Sequence, residues 1–287
     1  MKKKLFWLFT TPSNLMMIAL MLIPMLMSIW LSFHFVTYRN ITEPEFIGLS
    51  NYAELLQDPR FWESFQFTIT LVLIVVPLQM IIGFVMALLL DQVSKTVRGI
   101  FLAMMLLPYI VVPVVGTLMF KQLFVPSGLI SWVYQQITGT RFLFTETSVK
   151  ALIFLHTIWS VTPYPLVVFF SGLQTLPEEL VEAASIDGAN RLQQIRYIVI
   201  PHLRSLIIMV SLIDIMDMYR LFDNVFVLTQ MNPIYHAFTV MVYNFQVAMT
   251  VQRLGKGNAM SVLTVIVILV VLLPFLYLTY REQTEER

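Results

Sequence analysis

The sequence predicts an all-α integral membrane protein, a bundle of six transmembrane helices in a single domain over residues 1–287. The first observation is composition: 58% of the residues are hydrophobic and only 12% are charged, whereas soluble domains carry roughly 25% charged residues. The second is the mean hydropathy of +0.78. The third is a series of six apolar segments, each near the length of about 20 residues that crosses a bilayer as a helix. Together these observations exclude an ordinary soluble protein.

The six apolar segments follow one another along the whole chain, separated by polar stretches. They run from about Asn14 to Val36, Ser64 to Leu90, Gly99 to Phe120, Ala151 to Leu173, Pro201 to Phe222, and between Lys256 and Arg281. Pro108 and Pro113 should kink the third segment, because proline cannot donate the helical hydrogen bond.

The N-terminal lysines set the predicted orientation. Lys2, Lys3 and Lys4 precede a charge-free stretch from Leu5 to Tyr38, which is far longer than the apolar core of a signal peptide, about 7 to 15 residues. We therefore expect an uncleaved first span. Basic residues favour the cytoplasmic side, and an even number of spans then places both termini in the cytoplasm.

Composition also excludes several kinds of site. The chain has no cysteine, which removes disulfides, thiolate chemistry and cysteine-based metal sites. The net charge is +1, and no basic patch with interleaved aromatic residues suggests a nucleic-acid partner. The histidines are too scattered for a metal site in sequence; they are His34, His156, His202 and His236. Gly255-Lys256-Gly257 lacks the spacing of a phosphate-binding loop.

The polar stretch from about residue 174 to 201 also reads as a helix. Pro177 suits a first helical position, and Glu178 and Glu179 suit the positive end of the helix dipole. Gly188 suits the helix end. Ala183 and Ala184 would let another surface approach closely, with charge beside them from Glu182 and Asp187. The residues alone leave two interpretations open, a docking helix or an amphipathic helix on the membrane surface.

The spacing of this stretch adds a resemblance. Written E-A-A-x3-G-x9-I-x-L-P, it matches at Glu182, Ala183, Ala184, Gly188, Ile198 and Pro201, with Ile200 in place of the leucine. This pattern resembles the cytoplasmic loop signature of permease subunits of bacterial binding-protein-dependent ABC importers.

Further motifs resemble the carbohydrate-uptake branch of those permeases, the maltose, glycerol-phosphate and multiple-sugar type. They are Phe46 to Tyr52, Asp58 to Trp62, Leu107-Pro108-Tyr109, Leu221-Phe222-Asp223, Val227-Leu228-Thr229 and Leu254-Gly255. One departure is the stretch from Gln230 to Pro233, where many members have a Gly-Gly-Pro turn.

The resemblance implies a role and a set of partners. The 174–201 loop would form the coupling helix, with Glu182, Ala183, Ala184, Asp187 and Gly188 at the ATPase contact. The partners would be a second permease, two ATPase subunits that bind ATP and Mg²⁺, an extracytoplasmic solute-binding protein, a sugar and the lipid bilayer. The chain itself would be a non-catalytic subunit without a cofactor, in the bacterial cytoplasmic membrane.

Three ionisable residues in the fifth segment are candidates for a translocation pathway. Asp214, Asp217 and Arg220 are spaced three residues apart, on one side of a helix. An ionisable side chain at a helix centre in a bilayer costs about 2.5 to 3.5 kcal/mol, so such groups normally face a cavity or a partner. The alternative is an internal ion pair that holds the bundle together.

The resemblance extends this candidate set. By position in maltose-type permeases, the pathway would include Asp214, Asp217, Met218 and Leu221, with Ser160, Val161 and Tyr164 from the fourth segment. We expect Pro163 and Pro165 to break that segment and free backbone carbonyls.

Two other functions remain to be weighed for the aspartates. An ion-coupled secondary transporter would use Asp214 or Asp217 as a proton or cation site. An intramembrane aspartyl protease would share a proton between the two carboxyl groups, although such a dyad is usually assembled from two helices.

Overall fold

The computed structural model describes the backbone of residues 2–285 and the side-chain surroundings of residues 6–277. This part of the chain is almost entirely helical. The α-helices are α1 Lys2–Ser32, α2 Ser50–Leu56, α3 Pro59–Asp91, α4 Lys95–Ile110, α5 Pro113–Gln122, α6 Leu129–Thr138, α7 Glu146–Val161, α8 Pro163–Leu173, α9 Glu178–Ile186, α10 Arg191–Gln194, α11 Ile200–His202, α12 Arg204–Tyr219, α13 Asp223–Thr229, α14 Val240–Phe245 and α15 Leu254–Glu285. Shorter elements are β1 His34–Phe35, β2 Glu45–Phe46, the 3₁₀ turn Pro233–Tyr235, and the π-helical turns Ile195–Val199 and Gln246–Thr250.

Six segments of the described chain are candidate membrane spans by length and composition. Four are single helical stretches, namely Phe6–Ser32, Pro59–Asp91, Glu146–Leu173 and Leu254–Tyr277. The other two are bent pairs, Lys95–Ile110 with Pro113–Gln122 and Arg191–His202 with Arg204–Thr229. All six predicted segments have a counterpart here. The residues that set the predicted orientation, Lys2 to Lys4, and the two chain termini lie outside the residues whose side chains are described.

The first helix ends at Ser32, earlier than the predicted end at Val36. His34 and Phe35 instead pair antiparallel with Phe46 and Glu45. The amide of Asn51 donates to the carbonyls of Ser32 and His34, both at 2.9 Å. These bonds satisfy carbonyls that a helix end leaves without a partner, which stabilises the early end.

The third segment is bent more sharply than a proline kink predicts. α4 and α5 meet at 97°, and Val111 and Val112 between them are extended, with ψ of 135° and 125°. Pro113 explains this geometry, since it has no N–H to donate and disfavours helical backbone at the residue before it.

The fourth segment shows the opposite deviation. Thr162 keeps helical dihedral angles, φ −54° and ψ −31°, and the backbone N–H of Leu166 bonds to its carbonyl at 3.2 Å. The predicted break at Pro163 and Pro165 is therefore wrong. Pro163 lies at the first position of α8, and Glu146–Leu173 remains one helical stretch although neither Pro163 nor Pro165 can donate a helical hydrogen bond.

The fifth segment, predicted from Pro201 to Phe222, is not one continuous helix. The chain bends by 69° between α11 and α12 at Leu203, and α12 ends at Tyr219 before the chain continues into α13. The carbonyl of Leu221, in this second break, accepts a hydrogen bond from the Thr239 hydroxyl at 2.8 Å.

Contacts divide the chain into two compact units, one from the N-terminal side up to Trp62 together with Tyr243–Leu269, the other Glu63–Val242 with residues from 270 onward. In the second unit α8 packs directly on the start of α12. A Cβ on Gly172 would lie 2.4 Å from Cδ1 of Leu206 and 2.5 Å from Cδ2 of Leu203, so glycine allows this approach. This packing holds together α8 and α12, the helices that precede and follow the 174–201 loop.

Candidate functional site

The helix in the 174–201 loop is ended by its backbone. Gly188 has φ +82°, a left-handed conformation that glycine adopts without strain. Its N–H bonds to the carbonyl of Ser185 at 3.1 Å, and the N–H of Ala189 bonds to the carbonyl of Ala184 at 2.9 Å. These two bonds form a Schellman motif. The predicted end is confirmed, whereas Pro177 lies one position before the first helical residue.

The outer surface of this loop is open. α9 has no buried residue, and of the residues predicted to contact a partner only Ala184 is half-buried, while Glu182, Ala183, Asp187 and Gly188 are exposed. Apolar side chains stand out beside them: Ile186 is 87% exposed and Leu192 is 74% exposed. Large apolar side chains exposed on a polar loop indicate a surface for another protein or for the membrane.

Hydrogen bonds inside the loop join its two arms. Nε2 of Gln194 donates to Oγ of Ser185 at 2.9 Å and to the carbonyl of Ala189 at 3.2 Å. At the base of the loop the Thr175 hydroxyl lies 3.0 Å from Nε2 of His202. These hydrogen bonds connect α9 to the helix that leads into α12. Sequence analysis did not identify Gln194, because a polar residue on an exposed loop gives no signal of its own.

A second set of contacts holds the helices around this loop. Nε2 of Gln174 donates to Oδ1 of Asp91 at 2.8 Å, and Arg98 donates to the carbonyls of Leu90 and Asp91 at 3.2 and 3.1 Å. A guanidinium near the end of α3 also complements the negative end of the helix dipole.

The second candidate site is a cavity of about 1160 Å³ between α4, α5, α7 and the α12–α13 junction. Apolar and aromatic side chains form much of its wall, with a few polar groups among them. The lining residues that matter below are Tyr109, Phe120, Trp159, Ser160, Val161, Asp217, Arg220, Leu221, Asp223 and Asn224. This combination of apolar wall and few polar groups is typical of sites for small ligands.

Two of the charged groups that line the cavity form an ion pair. Nη2 of Arg220 lies 2.7 Å from Oδ1 of Asp217, and both side chains remain more than half exposed. The alternative interpretation expects an Asp–Arg pair inside the bundle; a pair is present, but it faces the cavity and not a packed interior. Its remaining donor and acceptor positions are free to meet a polar ligand.

The structure places the predicted pathway residues in three different environments. Ser160, Val161, Asp217 and Leu221 line the cavity. Asp214 and Met218 are buried, at 5% and 2% exposure, and neither belongs to the cavity lining. Tyr164 is half-buried and stacks on Tyr109, with ring centroids 6.2 Å apart.

Asp214 has an unusual environment for a carboxylate. Among the residues that the structure describes, its Oδ2 has no hydrogen-bond partner, and the same holds for the amide of Gln79, the polar side chain that faces it. Of the two aspartates, only Asp217 lines the cavity.

At the cavity wall a polar network joins α5, α7 and α13. The Thr117 hydroxyl donates to Oδ1 of Asn224 at 2.9 Å, and Nδ2 of Asn224 donates to the Thr157 hydroxyl at 3.4 Å. Nζ of Lys121 donates to the carbonyl of Val227 at 2.9 Å. Sequence analysis missed these residues, because they lie on separate segments and meet only through the fold.

The profile of one family, described as "Binding-protein-dependent transport system inner membrane component", matches residues 79–284. Among relatives, the trehalose/maltose transport system permease protein MalF of Thermococcus litoralis is 29% identical over 281 residues, covering 95% of this chain and 92% of that protein. The probable starch degradation products transport system permease protein AmyD of Thermoanaerobacterium thermosulfurigenes is 27% identical over 286 residues, covering 98% and 95%.

A solved structure has the same fold. It is a chain in the crystal structure of a bacterial alginate ABC transporter in complex with alginate pentasaccharide-bound periplasmic protein, with a TM-score of 0.82, 19% identity, and coverage of 98% of this chain and 95% of that chain. At this identity the likeness shows the fold alone, and it confirms the predicted all-α membrane bundle.

Proposed function

This chain belongs to the family of binding-protein-dependent transport system inner membrane components, and we propose that it forms, with a second permease, the pathway of an ATP-driven importer for a sugar or oligosaccharide. As a member of that family it is a multi-pass protein of the inner membrane and a transporter component. The finer assignment of motor, cargo and partners is the proposal.

The observation that carries the proposal is the exposed helix α9. It has no buried residue, it ends in a fixed Schellman motif, and Ile186 beside that end is 87% exposed. An apolar side chain that stays exposed on a polar loop is expected where another protein is permanently bound. We assign this contact to ATPase subunits, two per importer, one beneath each permease, which bind ATP and Mg²⁺. This chain then supplies no cofactor and no catalytic residue.

Coupling follows from the hydrogen bonds of the loop. Closure of the ATPase pair displaces α9, and Gln194 and the Thr175–His202 contact pass the movement to α11 and α12. The bend at Leu203 is the point where this movement changes direction. ATP drives the change because it has different affinities for the two arrangements.

The cavity is proposed to take the cargo. Aromatic faces of Tyr109 and Trp159 offer stacking surfaces for sugar rings, and the paired Asp217 and Arg220 offer acceptors and donors for hydroxyl groups. Relatives are named for trehalose, maltose and starch degradation products, which supports a saccharide. Arg220 also allows an acidic saccharide.

The remaining partners and the orientation belong to the same proposal. The 174–201 loop faces the cytoplasm together with both termini, and the opposite face receives a solute-binding protein, as the alginate transporter receives its periplasmic protein. The ion-coupled alternative loses support at Asp217, because Arg220 pairs with it. For both Asp214 and Asp217, the family description as a binding-protein-dependent transport system favours the importer.

A charge reversal on α9 tests the ATPase contact. Glu182→Lys should reduce the amount of ATPase subunit that co-purifies with this chain by roughly tenfold, equivalent to about 1.4 kcal/mol, while membrane insertion is unchanged. Glu43→Lys is the matched control, since Glu43 is also exposed but lies between the first two spans. Equal recovery of ATPase with both variants would refute the proposed contact.

A further inference from the structure

Helix α6, in the connection between the third and fourth segments, carries an apolar stripe. Leu129, Val133 and Ile137 recur every fourth residue and are 65%, 39% and 79% exposed. Residues four apart lie on the same side of a helix, so the three side chains form one outward row. Ser131 and Gln135 lie on the other side, and Ser131 is buried.

The helix and its flanks carry no charge. From Gln122 to Thr140 there is no Asp, Glu, Lys or Arg. α6 has ten residues, about 15 Å of helix, which is half the length needed to cross a bilayer. A helix of this length and pattern can lie along a membrane surface but cannot span it.

The start of α6 is fastened to the end of a membrane helix. The N–H of Ile130 bonds to the carbonyl of Leu123 at 2.9 Å, and the Ser131 hydroxyl donates to the carbonyl of Phe124 at 2.6 Å. Gly128 permits this reversal, because a Cβ there would lie 2.4 Å from the carbonyl oxygens of Gln122 and Leu123. The apolar stripe is therefore held at the end of α5, half of a candidate span.

We propose that α6 is an interfacial membrane helix, with Leu129, Val133 and Ile137 in the acyl region of the leaflet opposite to the 174–201 loop and Trp132 at the headgroup level. One crossing stretch, Glu146–Leu173, separates α6 from that loop, which sets the leaflet. Tryptophan is enriched at this depth, and Trp132 is 59% exposed.

Lipid fits the stripe better than a soluble protein does. A partner that binds only transiently would leave the apolar stripe exposed to water between binding events. Contiguous apolar patches are uncommon on surfaces that face water. Helices that lie at the boundary between headgroups and acyl chains have an apolar face opposite a polar face. α6 has this pattern and is attached to the end of α5.

Spin labelling tests the position of the helix directly. The chain has no cysteine, so Ile137→Cys and Gln135→Cys each give a single labelling site in this chain. The complex, purified with its partner subunits, is placed in nanodiscs of phosphatidylethanolamine and phosphatidylglycerol. Collision rates of the label are then measured with oxygen, which concentrates in acyl chains, and with a water-soluble nickel chelate.

The expected result is an oxygen-to-nickel collision ratio several-fold higher at 137 than at 135. Equal ratios dominated by nickel would place both faces in water and overturn the proposal. A label at 137 that is immobile and shielded from both reagents would show that a protein covers the stripe, and would overturn it as well.

Discussion

The backbone of one residue, Gly188, determines the shape of the surface that we assign to the ATPase. Its φ is +82°, and a Cβ there would meet no atom within 4 Å. A side chain at position 188 would therefore not clash with its neighbours. A substitution is unfavourable because the left-handed backbone costs most residues about 1–2 kcal/mol. Asparagine tolerates this conformation better than alanine does, although it is larger.

Substitutions at Gly188 should therefore rank by strain rather than by size. We expect Gly188→Asn to keep most ATP-dependent transport, and Gly188→Ala to lose roughly five- to tenfold, the ratio that corresponds to about 1–1.4 kcal/mol. The measurement is uptake by membrane vesicles at equal protein levels. A better result for alanine than for asparagine would mean that lack of bulk, and not the left-handed backbone, is what the position requires.

Individual residues were predictable where their signal is local. The Glu182–Gly188 motif and the Asp217–Arg220 pair each depend on spacing within one turn or two of helix, and the structure shows the loop and the pair. Asn224 and Thr157 meet across 67 positions of sequence, so no local pattern could indicate their contact. Spacing predicts Asp214 in the pathway, and the resemblance to maltose-type permeases predicts Met218 there, but the burial of both residues depends on neighbouring helices that neither signal specifies.

At the scale of elements, a charged cluster joins α2 to the start of α15. Nζ of Lys256 lies 2.9 Å from Oδ2 of Asp58 and 3.1 Å from Oε1 of Glu54. The Lys256 side chain is only 9% exposed and that of Asp58 is 15% exposed, while Arg253 pairs with Glu54 in a more open position. Tyr243 also donates a hydrogen bond to Asp58.

Removing the enclosed cation should destabilise these elements more than removing the open one. Lys256→Met leaves an enclosed carboxylate without its main charged partner, which costs about 2 kcal/mol, whereas Arg253→Met should cost below about 1 kcal/mol. The comparison is the Tm of each variant in detergent. Equal losses of Tm would contradict the account of this cluster.

The same cluster predicts a dependence on pH. Burial alone would raise the pKa of Asp58, but the Tyr243 hydroxyl and Lys256 outweigh it and hold the pKa below its ordinary value of 3.8. Burial alone would likewise raise the pKa of Glu54, but Lys256 and Arg253 outweigh it and hold the pKa below its ordinary value of 4.5. A lowered carboxyl pKa contributes stability above the ordinary value that is lost as pH falls. The Tm difference between wild type and Lys256→Met should therefore be constant from neutral pH to about pH 5 and shrink below about pH 4.

Helices were easier to predict than their breaks. Apolar length located all six segments, because crossing a bilayer needs a run of about 20 residues. Proline was an ambiguous signal: Pro113 produces a bend of 97°, while Pro163 begins a helix that continues the one before it. The difference lies in the preceding residue, since Val112 is extended and Thr162 stays helical, and that choice is made by packing.

At the scale of the whole molecule, the sequence indicates the class of protein and the family, and the structure adds a connection between the 174–201 loop and the cavity. The loop with its exposed helix and the cavity-lining helices meet at α12, whose start is bent and whose end carries Asp217. The division of the chain into two compact units was not indicated by composition, because no polar linker separates them, and the single-domain prediction stays a prediction.

The central claim is that this chain moves a sugar only when a separate ATPase grips the 174–201 loop. The direct measurement is uptake of radiolabelled trehalose or maltose into proteoliposomes that hold this chain, its partner permease and the ATPase subunits, with the solute-binding protein outside and ATP inside. We predict uptake that requires ATP and every subunit, and that ends when the ATPase is omitted. Uptake by this chain alone, driven by a proton gradient without nucleotide, would contradict the account.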